Sequence, residues 1–187
     1  IKIAVNRQFL NTETGIYANG TQTELAMPLY WDVVPEEYKT KVASNLNDLV
    51  IRNNNHLDVG LLGSKALLNA LSDNGYAQTA YTVATQKTYP SWGYWITSGA
   101  TTLHENWRMD VIIDNSLNHI MFGEIGAWLY KSLGGIQIDE NQPGFKHIWL
   151  RPFFPKDIDF LNIRYNTPYG WLNISWIKEK DNQIKYS

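Results

Sequence analysis

The 187-residue sequence contains no cysteine, so neither a disulfide framework nor thiolate chemistry is available to it. It carries no excess of one charge: 16 Lys and Arg face 18 Asp and Glu, a formal charge of −2, and no basic run interrupts the chain. That removes the cationic footprint a nucleic-acid partner requires. No apolar run approaches the roughly 20 residues needed to cross a bilayer, so no membrane partner is expected. There is no secretory signal and no initiator Met. A chain that opens on Ile1-Lys2-Ile3 and stops at Lys185-Tyr186-Ser187 reads as a piece cut from something longer.

What the sequence holds in quantity is aromatic rings, with 8 Trp and 11 Tyr. Both side chains join a flat apolar face to a polar tip, which suits a core and a carbohydrate cleft alike. They are densest between Ser91 and Gly126, where Trp92, Tyr94, Trp95 and Trp107 surround one acid, Glu105. Asn118 and His119 follow at the start of an apolar segment. Rings to stack on pyranose faces, one carboxylate and polar side chains for hydroxyls are what a sugar site needs.

Along the chain, periodicity predicts helices first. One runs from Gln22 to about Val33. A second starts at Pro35-Glu36-Glu37, with Tyr38, Val42, Leu46, Leu49 and Val50 on one face and Glu37–Lys41 and Asp48–Arg52 as i,i+4 pairs. A third spans Leu62 to about Ser72, and a fourth Tyr76 to about Lys87. The Ser91–Gly126 stretch reads mostly as loop. A fifth helix, from about Asn118 to Ser132, is apolar on most sides and is therefore expected to be buried, with Gly123 and Gly126 allowing close backbone approach. From about Ile136 the period changes to two, giving strands at 146–151, around Leu161 to Tyr165 and around Leu172 to Trp176. Thr167-Pro168-Tyr169-Gly170 is the turn between the last two. Paired helices followed by an antiparallel sheet is the order of two separate domains.

Among residues that could carry chemistry, Glu105 is the sharpest candidate, as a carboxylate that activates water. A solvated loop glutamate, or an ion-pair partner for Arg108, is the alternative. His119 could donate to a sugar hydroxyl or be a satisfied core residue. Trp92, Trp95 and Trp107 could stack on sugar or pack a core. Asp110, Asp114 and His104 have no metal-ligand spacing. Ser91 and Ser98 lack a nucleophile-elbow context, and Gly60-Leu61-Leu62-Gly63 lacks the lysine of a phosphate loop.

An ordered set of motifs runs through most of the chain: Thr21-Gln22-Thr23, Pro35-Glu36-Glu37, His56 to Gly63, Ala70 to Gly75 and Thr88 to Trp92. It continues with Gly99 to Trp107, Ser116 to Gly123, Pro143 to His147 and Thr167 to Gly170. Together, over about Asn19 to Trp176, they resemble the C-terminal part of bacterial α-L-rhamnosidases, an inverting glycoside hydrolase family built on an (α/α)6 barrel. One position departs: His104 stands where the family usually has Trp before the glutamate.

The resemblance implies a mainly α then β fold, with residues 1–135 as the C-terminal portion of the barrel (a six-hairpin toroid) and 136–187 as the start of a C-terminal antiparallel β-sandwich. It implies hydrolysis of terminal α-L-rhamnosyl residues, with Glu105 as the general base and His119 as a contact to the rhamnose. Trp107 and Trp92 would be aromatic walls and Asn118 a further substrate contact. The substrate would be a rhamnose-containing glycoside or polysaccharide, and no metal or cofactor is implied. The family's general acid lies in a motif with no counterpart here, so the rest of a parent chain is expected to supply it and complete the barrel. If a second carboxyl lies within the 187 residues, Glu124, Asp110 and Asp58 are the first to ask. A polysaccharide-degrading parent points to the periplasm or the cell exterior. The competing readings are an (α/α)6 glycosidase for another sugar, which His104 invites, and a non-catalytic sugar-binding or structural fragment.

Overall fold

The computed structural model describes residues 1–110, 115–180 and 183–187. They form two compact units, Ile1–Ile125 and Gly126–Ser187. None of the described helices is long and apolar enough to cross a membrane.

The first unit is helical. After α1 (Lys2–Phe9), a two-residue-stranded hairpin pairs β1 (Leu10–Asn11) with β2 (Ile16–Tyr17). The helix α2 (Gln22–Tyr30) begins with a capping box, in which Thr21 accepts from the Glu24 N–H and the Glu24 side chain accepts from the Thr21 N–H. In α3 (Glu36–Arg52) the predicted stripe holds: Val42, Leu46 and Val50 are fully buried, each contributing about 1.5–3 kcal/mol by leaving water. Lys41 does not reach Glu37; it donates to the Glu13 carbonyl and ties α3 to the hairpin turn. The helices α4 (Leu61–Asp73) and α5 (Ala77–Ala84) follow, with α4 packed on both α2 and α5. Gly63 sets the α2–α4 spacing, because a Cβ there would lie 2.3 Å from Thr23 Oγ1 and 2.7 Å from Val59.

The stretch after Ser91 is mostly loop, as expected, but holds one short helix: Ser91 caps the six-residue α6 (Trp92–Thr97) by accepting from the Tyr94 N–H at 2.9 Å. One expectation is corrected here: the segment after Asn118 is not one buried helix. It is a 3-10 turn over Ile120–Phe122, the short α7 (Glu124–Trp128) and a π-helical turn over Leu129–Leu133, closed by Gly134 N–H to the Leu129 carbonyl at 3.0 Å. Phe122, Trp128 and Leu133 are buried, while Ile120 is 84% exposed. Apolar residues on every side reflect a segment that changes helical pitch twice, so that no single face is repeated. A Cβ on Gly126 would meet open space, so this glycine makes no close approach.

The second unit is built from β-hairpins. Here β3 (Ile136–Ile138) pairs antiparallel with β4 (Ile148–Leu150), and β5 (Phe160–Thr167), β6 (Gly170–Lys178) and β7 (Ile184–Tyr186) form a three-stranded antiparallel sheet in that order. Pairing of Thr167 with Gly170 makes Pro168 and Tyr169 the two-residue turn, as expected. Ile174 and Trp176 are the buried residues of β6, and Phe154 meets Trp176 edge-on at 5.2 Å. Gly135 is required at its position: its φ is +71° and a Cβ would lie 2.2 Å from the Pro152 nitrogen.

Candidate active site

Three indoles build the frame of the site. The i,i+3 spacing on α6 turns Trp92 and Trp95 to one side, where both are buried. Trp95 stacks on Trp107 with centroids 4.6 Å apart, Trp92 meets Trp107 edge-on at 5.2 Å, and Phe122 closes on Trp107 at 4.2 Å. Each indole N–H is satisfied by a backbone carbonyl of another segment: Trp92 by Phe122 at 3.0 Å, Trp95 by Trp107 at 3.0 Å and Trp107 by Val59 at 2.8 Å. The cluster therefore fixes the loops around 59, 107 and 122 to α6. Tyr94 lies outside it, edge-on to Tyr89 at 5.5 Å.

On this frame the segments carrying Glu105 and His119 are hydrogen-bonded to each other. Glu105 N–H donates to the Ser116 carbonyl at 2.9 Å, and Ser116 N–H returns a bond to Glu105 Oε2 at 3.0 Å. His119 N–H donates to the Leu103 carbonyl at 2.8 Å. Among the described residues nothing bonds to Glu105 Oε1, and the side chain is half-buried. His119 caps the 3-10 turn, its Nδ1 accepting from the Met121 N–H at 3.0 Å. With Nδ1 accepting, the neutral ring carries its proton on Nε2, a donor pointing away from the turn. Asn118 is exposed, and its backbone N–H donates to Ser116 Oγ at 3.3 Å.

Arg108 is not a partner of Glu105. Its guanidinium holds Asp110 through two bonds of 3.0 and 2.9 Å, which lowers the Asp110 pKa and raises that of Arg108. Glu124 is likewise engaged, by Lys65 at 3.3 Å and Asn69 at 3.1 Å, and this ties α7 to α4. His104 is buried against Trp95, with centroids 5.4 Å apart, and its Nδ1 has no partner among the described residues. Asp114 lies outside the described residues, and among those described no three His, Asp or Glu side chains gather as metal ligands.

A pocket of about 330 Å³ opens beside Trp107, with Thr21, Asp58, Gly60 and Tyr89 among its walls. Sequence reasoning missed it because its lining, Trp107 included, comes from four chain segments up to 86 positions apart. The only local signal was Asp58 in a turn between two helices. Of the three further carboxyls, Asp110 and Glu124 are held by partners, whereas Asp58 is an exposed residue of the pocket lining with no side-chain bond among the described residues.

Residues 1–133 match the family described as the bacterial alpha-L-rhamnosidase 6 hairpin glycosidase domain, and residues 135–187 match the bacterial alpha-L-rhamnosidase C-terminal domain. A curated alpha-L-rhamnosidase of Formosa agariphila is 33% identical over 88% of this chain and 19% of its own length. Another from the same organism is 34% identical over 96% of this chain and 20% of its own. Among solved structures, the alpha-L-rhamnosidase of Dictyoglumus thermophilum superposes with a TM-score of 0.87 at 38% identity, covering 96% of this chain and 20% of that one. The Streptomyces avermitilis alpha-L-rhamnosidase, complexed with L-rhamnose, does so with a TM-score of 0.87 at 28% identity over 96% and 18%. The chain thus spans about a fifth of the length of the relatives it matches. By both domains and over nearly all its length, the chain belongs to the bacterial α-L-rhamnosidase family of six-hairpin glycosidases.

Proposed function

We propose that this chain is the C-terminal segment of an inverting α-L-rhamnosidase, with 1–135 contributing part of an (α/α)6 barrel and 136–187 the first strands of a β-sandwich. Glu105 is the general base. The observation that carries this role is the asymmetry of its carboxylate: Oε2 is held by the Ser116 N–H, and among the described residues nothing bonds to Oε1, the oxygen that would activate a water. As that water attacks the anomeric carbon, Oε1 takes its proton while the glycosidic C–O bond breaks on the opposite face. The departing oxygen needs a proton from a second carboxyl about 6.5–9.5 Å away, and that general acid comes from the rest of the parent protein.

His119 donates from Nε2 to a rhamnose hydroxyl, and Asn118 contributes its exposed amide. Trp107 forms the wall beside the pocket, with Trp92 edge-on against it as the second aromatic wall. The substrate is a glycoside or polysaccharide ending in α-L-rhamnose, in keeping with the relatives that bear that activity in their names.

Hydrolysis of p-nitrophenyl α-L-rhamnoside should be followed in parallel for this chain and for the longer parent, with the first-formed anomer read by proton NMR. Turnover by the parent alone, releasing β-L-rhamnose, is the expected result. Turnover by both places the acid within these residues. Inactivity of both rejects the rhamnoside reading in favour of another sugar or a binding role.

A further inference from the structure

We propose that Gln22, the first residue of α2, is a positioning residue for the general base: through the 56–59 loop and Trp107 it sets where the Glu105 carboxylate stands. The inference rests on the rhamnosidase reading above, and it gives a part to the Thr21-Gln22-Thr23 motif, which that reading leaves without one.

Gln22 is the one polar residue among the four that α2 buries, with 2% of its surface exposed. Both ends of its amide are committed to a single loop. Oε1 accepts the Asp58 N–H at 2.8 Å, and Nε2 donates to the His56 carbonyl at 3.0 Å. Asn53 Nδ2 reaches the same carbonyl at 3.0 Å, whereas the Asp58 N–H has only Gln22 among the described residues. A planar amide that accepts on one side and donates on the other fixes the direction of the backbone between 56 and 58. The packing of buried Leu57 adds no direction, because apolar contact has none. Thr21 and Thr23 line the pocket and Gln22 does not, so its amide is not itself a ligand contact.

The loop passes this constraint on. Val59 presents its carbonyl to Trp107 Nε1 at 2.8 Å, and the Trp107 carbonyl accepts Trp95 Nε1 at 3.0 Å. Trp107 stands two positions after Glu105. Up to Glu105 the segment is tied to 116–119 by the Leu103–His119 and Glu105–Ser116 bonds. Beyond it, Asn106 Oδ1 accepts from the nearby Arg108 N–H, so among the described residues Trp107 is the first point held by hydrogen bond to another part of the fold. The carboxylate is therefore placed between Ser116 on one side and the Val59 carbonyl on the other. The second anchor is only as well fixed as the loop that Gln22 holds. General-base catalysis is sensitive to such placement, since a displacement of ~1 Å can cost about 100-fold in rate.

The test is a double-mutant cycle in the full-length parent: wild type, Gln22→Met, Glu105→Ala and the double variant. Methionine keeps the length of the side chain and removes both bonds. Turnover of p-nitrophenyl α-L-rhamnoside is measured well below each unfolding midpoint. Gln22→Met should lower kcat by about 10–100-fold and leave KM within about twofold. On the Glu105→Ala background the same change should cost less than about twofold, because no carboxylate is left to position. Should the Met variant not fold, Gln22→Glu takes its place in the cycle, keeping an acceptor for the Asp58 N–H and losing the donor to His56; the same two results are required of it. A kcat within about twofold of wild type in a folded variant, or an equal fall on both backgrounds, overturns this inference alone. Near-wild-type turnover by Glu105→Ala, or an inactive parent, overturns the rhamnosidase reading and this inference with it.

Discussion

Glu105 and Ser116 bond reciprocally, the Glu105 N–H to the Ser116 carbonyl and the Ser116 N–H to Glu105 Oε2. Eleven positions apart in sequence, they lock the segment with the acid to the segment that goes on to Asn118 and His119. One carboxylate oxygen thereby becomes structural, and the other is presented in a fixed direction. Several measurable consequences come from this frame and the packing beneath it.

The indole cluster should dominate the stability of the helical unit. Trp95→Ala removes a 2%-exposed ring stacked on Trp107 and should cost about 3–5 kcal/mol in urea unfolding. Trp95→Phe keeps a ring but leaves the Trp107 carbonyl unpaired, at about 1–3 kcal/mol. Equal losses in the two variants would contradict the packing role of the ring, and no loss in Trp95→Phe would contradict the role of the hydrogen bond.

Two glycines in helices should respond with opposite sign to the same change. Gly63→Ala forces a methyl against Thr23 and Val59 and should destabilise by about 1–3 kcal/mol. Gly126→Ala meets open space inside α7 and should stabilise by about 0.5–1 kcal/mol. Thermal unfolding of the pair checks both, and a destabilised Gly126 variant would count against the described α7 environment.

Tyr17 should govern the alkaline limb of stability. It is buried and bonded to Asn6 Oδ1, and burial pushes its phenol up to about 12 from an ordinary 10. A raised folded-state value stabilises below pH 10. Between pH 10 and 12 the unfolded chain releases the proton while the folded chain keeps it, so stability falls as pH rises. Tyr17→Phe should be less stable at neutral pH yet show a flatter decline across that window in denaturant titrations. An unchanged slope would contradict the burial effect.

Much of this was legible in the sequence where a period had room to repeat. The helix α3 was read correctly because Val42, Leu46 and Val50 recur over 17 residues. The helix α6 was not, since six residues hold less than two turns, and α1 buries nothing that a pattern could reveal. The segment after His119 misled because its apolar residues serve a 3-10 turn, an α-helix and a π turn in succession. Motif order named Glu105, His119 and the tryptophans. It could not foresee that Trp107 would anchor on Val59, 48 positions away, or that Thr21, Asp58 and Tyr89 would share a pocket. Those are properties of loop closure, which no local spacing encodes.

The most direct test of the account is the rate of p-nitrophenyl α-L-rhamnoside hydrolysis by the parent enzyme with Glu105→Gln, alongside its unfolding midpoint. The amide keeps an oxygen for the Ser116 N–H but cannot take a proton from water. The account predicts a loss in kcat of about 10²–10⁴-fold with an unchanged midpoint. Near-normal turnover in a folded variant would contradict it.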